Sequence, residues 1–283
     1  MRWDRDHQSE DVVDERGAGG PSLAGTGILF WLVSRFGLPG LLVGGALLAA
    51  NYFLSGASSD PRAVSSGHPA RGGAGDETAH FVAFVLDDVQ STWQRIFAQR
   101  GLRYTPAKLV LFTDATRSAC GTGTTQAGPF YCPGDRRVYI DLSFYRELAH
   151  RFGAPGDFAQ AYVIAHEVGH HVQNLLEGQS GAVALARGRN QNAASIRIEL
   201  QADCYAGIWA HSTEGRNILD PGDIEEGLRA AAAVGDDTLQ RESEGQVHPE
   251  TWTHGSSAQR VAWFRRGYQS GKLEACETNK REP

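Results

Sequence analysis

Apolar residues recur at helical spacing along most of the chain after residue 77. Between Thr78 and Arg100 they fall on one face of a helix, and Gly101 follows directly, which predicts an amphipathic helix that ends there. The same spacing predicts further helices in four later segments: Asp157 to Leu176, Ile196 to Ser212, Asp223 to Val234 and Ser256 to Tyr268. A shorter helix is expected in the segment "FYRELAHRFG".

Two short runs of apolar and β-branched residues, "KLVLFTD" and "RVYIDLSFY", predict strands. Helices outnumber strands, and the two kinds of element are segregated along the chain. This order is typical of an α+β fold and not of a doubly wound sheet, in which strands and helices alternate. The sequence therefore predicts one mostly helical α+β domain with a small sheet over residues 78–283.

A long apolar segment precedes this domain at residues 27–54, "GILFWLVSRFGLPGLLVGGALLAANYFL". Its uncharged part is about long enough to cross a bilayer as a helix, so we expect a transmembrane anchor. Residues 1–26 are acidic and glycine-rich and predict a flexible tail, and residues 55–77 predict a Gly/Ser-rich linker. A signal peptide cleaved in "SGASSD" is the alternative, but the preceding tail is too long and too acidic for that class.

The distribution of arginines around this segment predicts its orientation. Four arginines precede the centre of the span and two follow it in the linker, which favours a cytoplasmic N-terminus. The expected location is therefore the bacterial inner membrane, with a single pass and an extracytoplasmic, periplasmic catalytic domain.

Charge argues against one class of partner. The 283 residues carry a formal net charge of −6, and no basic block interrupts this mild acidity. The sequence therefore gives no indication of a nucleic-acid partner.

Four cysteines follow the apolar segment, and an even number in an exported domain indicates disulfides. Cys120 and Cys132 bracket a Gly/Thr-rich loop and form the natural local pair, which leaves Cys204 with Cys276. A zinc site made of cysteines is a weaker alternative because the chain has no C-x-x-C motif. Cys204 on its own also fits a small buried apolar residue.

The stretch "YVIAHEVGHHVQN" contains the pattern His-Glu-x-x-His. On a helix, His166 and His170 lie one turn apart on the same face, so both imidazoles can bind one metal ion. Glu167 is adjacent to the first histidine, where a carboxylate can act as a general base for metal-assisted hydrolysis. His171 points about 100° away from His170 and is not expected to be a ligand.

A catalytic zinc ion requires a third protein ligand. The next apolar helix, "IRIELQADCYAG", carries Glu199 and Asp203 one turn apart, and two buried carboxylates are costly without compensation. We expect Glu199 to bind Zn²⁺ and Asp203 to fix the tautomer of a ligand histidine. The exchange of these two roles is an open alternative.

These segments resemble a known family. "AHEVGHHVQ" followed by "ELQADCYAGIWAH" is similar to gluzincin metallopeptidases, which take the third zinc ligand from the Glu of an ExxxD segment. Together with "GPFYCP", "VYIDLSFY" and "THGSSAQR", they resemble the neutral zinc metallopeptidases of the YpfJ type, from the "MRWDRD" N-terminus nearly to the C-terminus. The resemblance implies a zincin-like domain that acts on a peptide or protein substrate.

The expected mechanism is peptide-bond hydrolysis by a zinc-bound water, with Glu167 as the general base. A non-catalytic, zinc-stabilised and membrane-tethered binding module is the alternative, and a hydrolase of non-peptide amides is a third possibility.

We further expect His254, on a loop before the last helix, to stabilise the oxyanion, with Arg260 nearby to hold the loop or to donate a hydrogen bond itself. Tyr139 to Asp141 is expected to be an edge strand that contacts the substrate, or else a plain core strand.

Overall fold

The computed structural model describes residues 1–17, 74–177 and 191–278. The predicted anchor at residues 27–54 and nearly all of the predicted linker lie outside these residues. In the described part of the chain, no helix combines the length and the apolar character that a bilayer crossing requires. This finding corrects the prediction of a single-pass inner-membrane protein with a periplasmic catalytic domain.

Six short strands form two sheets among the described residues. They are β1 (Val12–Asp14), β2 (Lys108–Phe112), β3 (Ala115–Ser118), β4 (Gly121–Thr124), β5 (Phe130–Cys132) and β6 (Arg137–Asp141). The larger sheet has the order β1-β2-β6-β5, while β3 and β4 form a hairpin. The first three strands of the larger sheet are parallel, and β5 runs antiparallel to β6.

The N-terminal segment differs from the flexible tail that its composition predicts. β1 pairs with β2, with Val12 opposite Leu109, so residues 12–14 belong to the sheet. The Met1 ammonium group lies 2.8 Å from a carboxylate oxygen of Asp157. Composition failed here because three residues are too few to show a strand pattern, although Val12 and Val13 both pack against the core.

Seven α-helices are described: α1 (Ala74–Gln99), α2 (Ser143–His150), α3 (Asp157–Glu177), α4 (Gln191–Glu214), α5 (Asp223–Ala233), α6 (Asp236–Glu244) and α7 (Ser257–Ser270). Helices outnumber strands and are mostly segregated from them, which confirms the α+β class. α6 was not predicted, because its sequence "DDTLQRESE" offers Leu239 as its only apolar residue and has no stripe.

Glycines allow the central helices to pack at very short distances. A Cβ atom at Gly169 of α3 would lie 3.0 Å from the carbonyl oxygen of Ala202 in α4. A Cβ atom at Gly267 of α7 would overlap the carbonyl oxygen of Cys204. Because α4 has a close contact on each side, its side chains reach both neighbouring helices.

Both predicted disulfides are present. Cys120, in the turn between β3 and β4, is bonded to Cys132 at the end of β5, and Cys204 of α4 is bonded to Cys276 near the C-terminus. The first bond holds the loop in front of β5, and the second attaches the C-terminal segment to α4.

Candidate metal centre

α3 and α4 bring three potential ligands together. Nε2 of His166 lies 3.2 Å from Oε2 of Glu199, and Nε2 of His170 lies 3.5 Å from Oε1 of the same carboxylate. One ligand atom from each residue falls within 4.8 Å of the others. The helical spacing of the histidines and the close contact at Gly169 together produce this cluster.

The other ring nitrogen of each histidine is held by a hydrogen bond. Nδ1 of His166 lies 2.9 Å from Oδ1 of Asp203, and Nδ1 of His170 lies 2.9 Å from Oε1 of Gln173. A carboxylate and an amide oxygen can only accept, so each Nδ1 carries the proton. Both Nε2 atoms face Glu199, and in the neutral ring each Nε2 is the nitrogen that is free to bind a cation.

Asp203 has no exposed surface, and its charge is compensated on several sides. Nε of Arg260 donates to Oδ2 at 2.8 Å, and the Tyr162 hydroxyl donates to Oδ1 at 2.5 Å. Burial alone would raise the pKa of Asp203, but Arg260 and His166 hold the pKa below its usual value. Asp203 thus contacts Nδ1 of His166, whereas Glu199 faces Nε2 of both histidines.

The cluster is electrostatically coupled. Burial alone would raise the pKa of Glu199, but the charges of His170 and His166 hold it well below its usual range. Burial alone would lower the pKa of His166, but the Asp203 carboxylate raises it to about 9. Glu199 is thus ionised, as cation binding requires, whereas each imidazole has to release its Nε2 proton when a cation binds.

A cavity of about 660 Å³ opens in front of this cluster. Glu167 lines it together with the three candidate ligands, and its side chain is only 8% exposed. Apolar side chains cover much of the remaining wall, including Phe130, Phe144, Phe152, Val163 and Leu239. The site therefore combines a potential metal cluster, a neighbouring carboxylate and an apolar cleft.

His254 lines the same cavity from the loop before α7. Its Nδ1 lies 3.1 Å from Oδ1 of Asp236, whose Oδ2 accepts the backbone N–H groups of Thr253, His254 and Gly255. The hydrogen bond to Asp236 raises the pKa of His254, and this outweighs the opposite effect of burial. The imidazole is half exposed, and its orientation is fixed by Asp236.

The strand beside the cavity is β5, and for Tyr139 to Asp141 the structure agrees with the alternative of a plain core strand. β6 lies between β2 and β5, and Tyr139 is only 2% exposed, so Tyr139 to Asp141 form a core strand. Phe130 and Tyr131 of β5 line the cavity instead. Sequence analysis missed β5 because its three residues are too few to show an alternating pattern.

His171, which was expected not to be a ligand, anchors β5 to α3. Its Nδ1 lies 3.0 Å from the Tyr131 hydroxyl, and its Nε2 lies 2.7 Å from the carbonyl oxygen of Thr105. Asn174 donates to the same hydroxyl at 2.8 Å. Both ring nitrogens of His171 are thus engaged away from the candidate cluster.

Four residues around the site were not found from sequence: Tyr162, Gln173, Gln201 and Asp236. Asp236 precedes His254 by a helix and a loop, and no local pattern connects the two. Gln173 and Tyr162 lie on α3 within two turns of the histidines, so helical periodicity alone could have placed them near the site.

Sequence comparison agrees with this geometry. The family described as "Putative neutral zinc metallopeptidase" matches residues 1–279. The chain belongs to this family. It is 44% identical to the uncharacterized protein YpfJ of Escherichia coli K12 over 290 aligned positions, which cover 98% of each chain.

Mycobacterial proteins are also related to this member of the zinc metallopeptidase family. The chain is 46% identical over 188 positions to the uncharacterized proteins Mb2605 of Mycobacterium bovis and Rv2575 of Mycobacterium tuberculosis, covering 62% of this chain and 63% of each relative. No solved structure matches the chain.

Proposed function

We propose that this protein is a zinc-dependent peptidase that hydrolyses peptide bonds. The observation that carries the proposal is the convergence of two imidazole Nε2 atoms and the Glu199 carboxylate on one point at the wall of a cavity, with Glu167 beside them. The family description is consistent with this activity.

The donor set fits zinc. Two neutral imidazoles and one carboxylate are a ligand combination that catalytic zinc sites use, and a fourth position remains for water or substrate. Asp203 and Gln173 fix the tautomers that leave both Nε2 atoms free to bind. When bound there, zinc supplies a Lewis acid and lowers the pKa of a coordinated water to about 7.

Glu167 is proposed to move the proton. Its carboxylate lines the cavity next to His166, where it can accept a proton from the attacking water and deliver it to the leaving amine. A structural zinc site would have a fourth protein ligand and no need for such a neighbour. This is the feature that favours an enzyme over a zinc-stabilised binding module.

His254 is proposed to bind the oxyanion that forms during the attack. Its Nδ1 donates to Asp236, so its Nε2 carries a proton only when the ring is protonated, and the raised pKa of His254 favours this form. A positioned donor of this kind contributes about 2.7–4 kcal/mol to transition-state stabilisation.

An extended peptide is the substrate that the cleft fits. β5 ends the four-stranded sheet, and its residues Phe130 and Tyr131 line the cavity, so a substrate backbone can add to the sheet there. The apolar wall then receives side chains of the substrate.

The experiment is metal analysis and digestion of a peptide library by the full chain, by Glu167→Gln and by His166→Ala. We expect about one zinc per chain and cleavage for the wild type, zinc without cleavage for Glu167→Gln, and neither for His166→Ala. Cleavage by Glu167→Gln at the wild-type rate would refute its role. Zinc without cleavage in the wild type would favour the binding module, or a hydrolase of other amides.

A further inference from the structure

The two candidate ligand histidines are held by different kinds of partner. His166 donates to a carboxylate, whereas His170 donates to the amide oxygen of Gln173. A carboxylate accepts in any orientation, but an amide accepts at one end only. The orientation of the Gln173 amide therefore decides whether His170 presents its Nε2 lone pair to the cluster.

Two further contacts determine that orientation. Nε2 of Gln173 donates to the carbonyl oxygen of Ile198 at 2.7 Å and to Oε1 of Gln201 at 2.9 Å. If the amide were reversed, its NH₂ group would face the N–H of His170, and its oxygen would face two acceptors. The side chain is only 4% exposed, so water cannot compensate for such a reversal.

Gln201 is oriented in turn by the C-terminal segment. Its Nε2 donates to the carbonyl oxygen of Cys276 at 3.1 Å, which leaves its oxygen for Gln173. The disulfide with Cys204, three residues after Gln201 on α4, holds Cys276 in place. The donors thus point in one direction from His170 through two amides to a carbonyl that is covalently attached to the same helix.

We propose that Gln173 and Gln201 are positioning residues that fix the tautomer of His170 and thereby its affinity for a metal ion. The proposal rests on the proposed zinc centre. Gln173 lines the cavity, but its amide is engaged by His170, Ile198 and Gln201, so each glutamine acts through the next group in the chain of hydrogen bonds. Removal of such a support weakens metal binding by about 10–100-fold.

The test measures the zinc affinity of the full chain by competition with a chromophoric chelator. Gln173→Leu is expected to lose about 10–100-fold in affinity, and Gln201→Leu a smaller amount. Because both act on His170 through one path, Gln201→Leu should have no further effect in the Gln173→Leu background. The control is Gln160→Leu, a half-buried glutamine on α3 outside this path, which should bind zinc as the wild type does.

A second readout needs no metal. Long-range ¹H–¹⁵N spectra of the metal-free chain, recorded at an alkaline pH at which the ring of His170 is neutral, should show His170 with its proton on Nδ1 in the wild type and in Gln160→Leu, and a mixture of tautomers in the two variants. If Gln173→Leu does not fold, the spectrum of Gln201→Leu alone tests whether the glutamines fix the tautomer of His170.

Two results would overturn the proposal. One is a loss of zinc affinity in the Gln173→Leu, Gln201→Leu double variant that equals the product of the two single losses, and the other is an unchanged His170 spectrum in either single variant. Failure of the proposed function looks different, because the wild type and His166→Ala would then bind zinc equally poorly. The spectrum of the metal-free chain would still test the hydrogen-bond path in that case.

Discussion

Nδ1 of His254 lies 3.1 Å from Oδ1 of Asp236, across a helix and a loop that separate the two residues in sequence. The same carboxylate holds three consecutive backbone N–H groups of the His254 loop. Asp236 therefore fixes the position of His254 at the cavity and raises the pKa of its imidazole.

Loss of this imidazole should affect turnover and not metal binding. For His254→Ala we expect full zinc content, a kcat that is lower by about 10²–10³-fold, and a modest change in KM, because the donor acts mainly in the transition state. Steady-state kinetics on a peptide that the wild type cleaves, together with metal analysis, test this. Lost zinc would make His254 a ligand, and unchanged turnover would exclude the role.

The pH profile should depend on Asp236. His254 donates from Nε2 only when protonated, so activity is lost as pH rises through its pKa, and the raised pKa extends activity to higher pH. In Asp236→Asn the main cause of the raised pKa is gone, so the basic limb of kcat should move to lower pH. The measurement is kcat as a function of pH for the wild type and for Asp236→Asn. If the variant is folded and its basic limb lies at the wild-type pH, protonated His254 is not the group that controls this limb.

The buried pair of Arg260 and Asp203 should behave as a unit. Arg260→Met removes the guanidinium that pairs with the fully buried Asp203 carboxylate, and we expect about 3–5 kcal/mol of lost stability. Asp203→Asn in the same chain removes that charge and should recover part of the loss. Chemical denaturation of the single and double variants measures this coupling, and strictly additive losses would argue against it.

Close packing of α3 on α4 gives a further prediction. Gly169→Ala places a methyl group 3.0 Å from the carbonyl oxygen of Ala202, so α3 and α4 must move apart. We expect about 1–3 kcal/mol of lost stability and weaker zinc binding, because Glu199 moves away from both histidines. Gly215→Ala is the matched control, since a Cβ atom there meets nothing within 4 Å. Equal effects of the two changes would show that packing at Gly169 does not position the ligands.

Local patterns in the sequence predicted the parts of the site that depend on one helix. His166 and His170 are related by helical periodicity, and Glu199 and Asp203 were visible as acidic residues in an apolar helix. Asp236 and Gln201 were not visible, because their importance arises from contacts between elements that are distant in sequence.

The strands show the same difference between features that local sequence reveals and features that depend on distant contacts. Apolar runs predicted β2 and β6, but which strand lies at the edge depends on pairing, and pairing placed β5 outside β6. α6 has no apolar stripe and β1 has only three residues, so local sequence patterns gave no sign of either.

The pairing of β1 with β2 affects the order in which the chain can fold during synthesis. Val12 leaves the ribosome long before its partner Leu109, so the first strand has to wait for the second. Forming that pair closes a long loop, which is an entropically costly and slow kind of step. β1 therefore cannot nucleate the sheet, and a strand that is synthesised before β2 can take its place only after β2 has formed.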